Sequence, residues 1–288
     1  MVPMTSRRPQ RSGTTLVELT VALVLLLIVL SLGALAARRS ISTVARVSLI
    51  ESRATGIADA LRTLSRHAVN ADPRANDIRI ARDSVLDLVH TIGLTTACKV
   101  RGDTLVITQA DDSLPWRTTA PRGITADDAV RVWNEASQVW ITRSIRVVAS
   151  ASGTCGDSAA TWPGTASQRL ILNDSLLEIR PGAIVRVLQR ERWSLLRGAD
   201  GLWSLSLATW DAASNRFDLP QPLLSALASP GSPFGRGFSV MATDSADHTL
   251  VDDSTLLRVR SIVAVLRSTR HALYGMRIDS VRINVGAH

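Results

Sequence analysis

Residues 16–37 are apolar apart from Glu18, Thr20 and Ser31. At about 1.5 Å of rise per residue this run covers roughly 33 Å as a helix, enough to cross a bilayer. It does not end in a helix breaker, and no proline occurs between Pro9 and Pro73. Beyond Arg39 the pattern turns amphipathic. Val47, Ile50, Ala54, Ile57, Leu61, Leu64 and Ala68 recur at alternating spacings of three and four, which puts them on one helical face. Arg46, Glu51, Arg53, Asp59, Arg62 and Arg66 fall largely elsewhere. The pattern predicts one helix over about 15–69, stopped by Asn70-Ala71-Asp72-Pro73.

After Pro73 the period changes to that of strands. Strands are expected at Asp103–Gln109 and Val139–Ala149, and a tight hairpin over Arg169–Ile179 around Asn173-Asp174. The clearest hairpin joins Ile184–Leu196 to Leu202–Trp210 through Arg197-Gly198-Ala199-Asp200-Gly201. In it Val185, Val187, Trp193 and Leu195 share one side, as do Trp203, Leu205 and Leu207. Residues 218–237, with Pro220, Pro222, Pro230 and Pro233, read as a loop. Leu256–Arg267 and Met276–Val285 complete the strands. One long helix followed by many strands predicts an α+β architecture.

Glu18 changes the meaning of the apolar run. A carboxylate in lipid is unfavourable unless it has a partner. A chain cut after Gly13 supplies one, because the new amino group of Thr14 can neutralise the acid. The segment Gly13-Thr14-Thr15-Leu16-Val17-Glu18-Leu19, behind Arg7, Arg8 and Arg11, resembles the N-terminus of type IV pilins and type II secretion pseudopilins. In that family a membrane peptidase cuts after the glycine and methylates the new terminus, and the fifth mature residue is glutamate. One position departs from the family pattern: the first mature residue is usually phenylalanine and here is threonine.

The resemblance implies a leader of residues 1–13, a transmembrane or filament-core half-helix over 14–37, an amphipathic half over 38–72, and a β-rich extracytoplasmic domain over 73–288. It implies a pilin-like fold, the helix lying on an antiparallel sheet. The implied role is non-enzymatic: a minor subunit, of the PilW type in pili or the J type in secretion pseudopili, that primes or joins filament assembly. Implied partners are the prepilin peptidase, other minor and major pilins or pseudopilins, and the inner membrane, with the body in the periplasm. A secretory signal peptide cut after Ala34-Leu35-Ala36 and a plain single-span anchor are the alternatives. Either would serve a secreted or anchored binding domain for a glycan or DNA.

The formal charge is +8, and +5 without the three leader arginines. Thirty-two arginines against the single Lys99 reflect a GC-rich genome before a nucleic-acid site. No dense basic stripe with interleaved aromatics runs along the chain, so no specific nucleic-acid partner is expected. If the body lies outside the inner membrane, Cys98 and Cys155 are placed where a disulfide persists; two unpaired buried thiols are the alternative.

Catalytic and metal motifs are few. His67, His90, His248, His271 and His288 lack zinc-ligand spacing, so surface histidines and no cofactor are expected. Asp244, Asp247, Asp252 and Asp253 are a candidate calcium loop, against a solvated acidic turn. Asp127-Asp128 reads as a helix start after Thr125. Trp193, Trp203 and Trp210 read as core packing, and Trp116 and Trp162, beside prolines, as loop plugs.

Overall fold

The computed structural model describes residues 16–108, 123–151, 167–212, 214–250, 253–269 and 275–286. The chain divides into two compact units, Met1–Arg53 and Ala54–His288. The described part of the first unit is helix throughout: α1 runs unbroken over Leu16–Ala68, 53 residues. Leucine- and alanine-rich composition and the absence of proline favour so long an element.

Within the second unit the end of α1 is packed. Ile57, Ala60, Leu61, Leu64 and Ala68 are buried, following the predicted stripe. Val47 and Ile50 continue that stripe in sequence but are exposed. Past Ala68 the breaker cluster acts as expected. Asp72 caps a short 3-10 turn over Pro73–Ala75 by accepting from the Arg74 amide.

The strands that follow are β1 (Ile78–Asp83), β2 (Val85–Arg101), β3 (Thr104–Thr108), β4 (Ala129–Asn134), β5 (Val139–Ser150), β6 (Ser167–Leu172) and β7 (Ile184–Arg197). Then come β8 (Trp203–Asp211), β9 (Arg216–Phe217), β10 (Gln221–Leu227), β11 (Phe238–Thr243), β12 (Thr249–Leu250), β13 (Ser261–Arg267) and β14 (Ile278–Asn284). Every described pairing is antiparallel.

The pairings make two structures that share a spine. One is a broad run in the order β10-β8-β7-β2-β1-β11-β13-β14. The end of α1 packs with it: one core joins Ile57, Leu61 and Leu64 to Leu86, Leu88, Trp193, Leu205, Phe238 and Ile262. The other is a closed ring, β2-β3-β6-β5-β4-β7, completed by the β2–β7 pairing. Its core holds Ala97, Leu105, Ile107, Val130, Val132, Ile145, Leu170, Leu172 and Val185, at least one from every strand of the ring.

The long strands β2 and β7 serve both. In β7 the inward positions are odd throughout: Val185 in the ring, then Glu191, Trp193 and Leu195 beside the helix. In β2 they are even up to His90 and odd from Thr95, because the register shifts between Thr91 and Gly93. One extra residue at that bulge keeps the same face of β2 turned inward while parity changes.

Several sequence expectations change. Residues 218–237 are not all loop, since Gln221–Leu227 forms β10 against β8, with shifted register around Pro222 and Leu224. An edge strand tolerates proline because one side of its backbone needs no ladder partner. Arg169–Ile179 is not a hairpin. β6 ends at Leu172, Asn173 accepts from the Ser144 amide, and Leu176 drops into the ring core. Asp127-Asp128 starts no helix: Asp128 closes a turn onto the Thr125 amide before β4. The strand expected from Leu256 begins at Ser261, after a 3-10 helix over Asp253–Arg258. The Ile184–Trp210 hairpin forms as expected, with Gly201 at φ +79 in its turn.

Candidate functional site

Three groups of residues stand out by exposure or chemistry. The first is the apolar part of α1. From Leu16 to Ile50 the large apolar side chains are exposed, Leu26 at 54% and Leu30 at 59%, against 1% for Leu64. The hydroxyls along the same stretch turn inward: Thr20 donates to the Val17 carbonyl and Ser31 to that of Ile28. Satisfying polar groups within the helix lowers the cost of an apolar surrounding. By length and composition this helix is able to span a membrane. Glu18 lies in its first turn, where a negative charge complements the helix dipole. Gly13 and Thr14 lie outside the described residues.

The second group lines a cavity of about 920 Å³ beside the ring. Cross-strand register sets Arg131 of β4 opposite Arg186 of β7 and Thr142 of β5, with Trp133 opposite Trp140 two pairs further on. Arg131 and Asp77 are both buried, and the guanidinium grips the carboxylate through two bonds of 2.8 and 2.5 Å. A third bond runs from its Nε to Thr142. Arg186 is half-buried, its guanidinium 4.5 Å from the centre of the Trp140 ring. Burial first, and the Arg131 charge second, pull the Arg186 pKa below the ordinary guanidinium value. Arginine at the wall of a cavity suits an anionic group. Strand pairing brings Arg186, Trp133 and Trp140 together from positions far apart in sequence, while Arg131 is already paired with Asp77, and Asp72 and Asp244 also line the cavity.

The third group joins α1, β2 and β7. Register places Glu191 opposite Leu88, one inward step from His90. His67, on the last turn of α1, holds Glu191 Oε1 through Nδ1 at 2.7 Å. The same oxygen accepts from Trp193 Nε1 at 2.6 Å. His90 Nδ1 lies 3.4 Å from Glu191 Oε2 but makes no hydrogen bond. The two imidazoles stack, 4.2 Å between centres and 12° between planes. Burial pushes the His90 pKa down to about 4; the Glu191 charge opposes this and His67 adds to it. His90 is therefore a neutral imidazole at neutral pH. The expectation of surface histidines fails for this pair, since His90 is buried and His67 half-buried. Their spacing of 23 positions matches no ligand motif, and only the fold brings them to Glu191.

Of the remaining candidates, Asp244 also lines the cavity beside the ring. Asp244 is held below the usual carboxylate range first by the His248 amide; Ala246 and the His248 side chain add to this. Its Oδ1 accepts from the amides of Ala246 and His248. Asp247 pairs with Arg282. Asp252 and the side chain of Asp253 lie outside the described residues. Cys98 sits half-buried on β2, and no free cysteine occurs among the described residues. Cys155 lies outside them, as do Trp116, Trp162, His271 and His288. Trp193 is fully buried and Trp203 packs against the same core, in keeping with the core role expected of them.

Comparison of the chain with known protein families, with curated proteins and with solved structures gives no match.

Proposed function

We propose that this chain is a minor pilin-like or pseudopilin-like subunit, with a structural rather than a catalytic role, that joins an envelope filament after its leader is removed. The observation that carries the proposal lies within α1. Residues up to Ile50 leave their large apolar side chains exposed, while Ile57 to Ala68 bury theirs in the chain's own core. Such a helix has one part that folds with its own body and another that needs lipid or other helices around it. The sequence Gly13-Thr14 ahead of Glu18 supplies the remaining support.

In this scheme the leader stays in the cytoplasm, the apolar segment crosses the inner membrane, and the body lies in the periplasm. The prepilin peptidase cuts between Gly13 and Thr14. Moving from lipid into a helical bundle exchanges one apolar surrounding for another, so burial alone selects weakly between them. The Thr14 amine of a subunit already assembled meets Glu18 of the incoming one. A buried ion pair is weak as a source of stability and useful as a means of register.

Gly13→Ala tests the first step: the variant is expected to keep its full-length mass, and normal maturation would contradict the assignment. Glu18→Ala tests the second: it is expected to be cut but to enter filaments poorly. Wild-type incorporation would remove the register role.

A second reading, an anchored extracytoplasmic domain that binds an anionic ligand, draws on the cavity at Arg186 and Trp140. It predicts a mature start at Ala37 or no cleavage at all.

A further inference from the structure

We propose that His67, His90 and Glu191 form a binding site for one transition-metal ion of the zinc type, which ties the last turn of α1 to β2 and β7. One ligand atom from each residue lies within 4.8 Å of the others. The proposal does not depend on the filament reading.

Three features favour the ion over a self-contained hydrogen-bond network. His90 Nδ1 is buried and makes no hydrogen bond, and a polar atom left without a partner in a core is costly. A metal ion supplies the missing partner. Glu191 is held from behind by Trp193 Nε1, the kind of outer hydrogen bond that orients a metal-bound carboxylate. The carboxylate is almost wholly buried, and its described partners are the two histidines and Trp193. A cation balances its charge there.

Two imidazoles and one carboxylate select zinc, cobalt or nickel over calcium or magnesium, which prefer all-oxygen shells. Parallel rings cannot aim both in-plane lone pairs at one ion. Binding therefore turns one ring out of the 12° stack. His67 is the ring with freedom to move, its side chain 26% exposed against 7% for His90. The same exposure gives the ion an entry and leaves room for a water as fourth ligand.

The test uses the full chain, purified in detergent, stripped with a chelator and titrated with zinc and then cobalt. One equivalent is expected to bind. His67→Gln and His90→Gln are each expected to weaken binding at least tenfold, and His248→Gln to leave it unchanged. Absence of stoichiometric binding, or binding that survives His67→Gln, overturns the site. X-ray absorption at the zinc edge of the unmodified protein gives an answer independent of whether the variants fold. Two imidazoles in the first shell are expected, and none or one contradicts the proposal.

Discussion

The Asp77–Arg131 pair joins positions 54 apart in the chain, both of them buried. Removing one partner of such a pair leaves the other charged in the core. Asp77→Ala is therefore expected to cost about 3–5 kcal/mol, read as a shift in the urea unfolding midpoint. A shift below 1 kcal/mol would mean that water reaches Arg131. The pair was not legible in the sequence, because nothing local to Asp77 announces a guanidinium from β4. The same holds for His67 and His90, read from spacing as surface residues yet stacked against Glu191. Trp193 was legible: its alternation with Leu195 in a strongly patterned hairpin points it inward, and it is fully buried.

Among the elements, α1 was the easiest to read because a period near 3.6 and a long apolar run leave little choice. Its two parts predict opposite responses to the same truncation. Leu64→Ala removes a side chain that is 1% exposed and is expected to destabilise the body by about 2–5 kcal/mol. Leu26→Ala, at a position 54% exposed, is expected to leave body unfolding unchanged and to lower filament incorporation. Equal effects of the two on unfolding would contradict the division of the helix. Several strands escaped the sequence, and for β2 and β10 the physical reasons are plain. In β2 the bulge at Gly93 switches inward positions from even to odd, which breaks the period-two pattern. In β10 the prolines that usually mark loops sit on an edge. The approach to β11 is close: a Cβ on Gly237 would lie 2.3 Å from the Ala228 carbonyl oxygen and 2.8 Å from its nitrogen. Backbone atoms give way poorly, so Gly237→Ala is expected to cost about 1–3 kcal/mol by thermal or urea unfolding.

For the folded body, the two cores share β2 and β7, which ties their stabilities together. Leu105→Ala, in the ring, is expected to lower hydrogen-exchange protection in β11 and β13 of the broad sheet as well as in β3 and β6. Loss confined to the ring would show two independent folding units. The α+β class and the long helix were plain from the order of periodicities. The closed ring was not, because closure depends on β2 meeting β7 across about ninety residues of sequence.

The account of function rests on where the working chain begins. Mass spectrometry of the protein extracted from envelopes reads that directly. A mature chain starting at Thr14, carrying an N-terminal methyl group, is the result the filament assignment predicts. An intact Met1, or a start at Ala37, would contradict it.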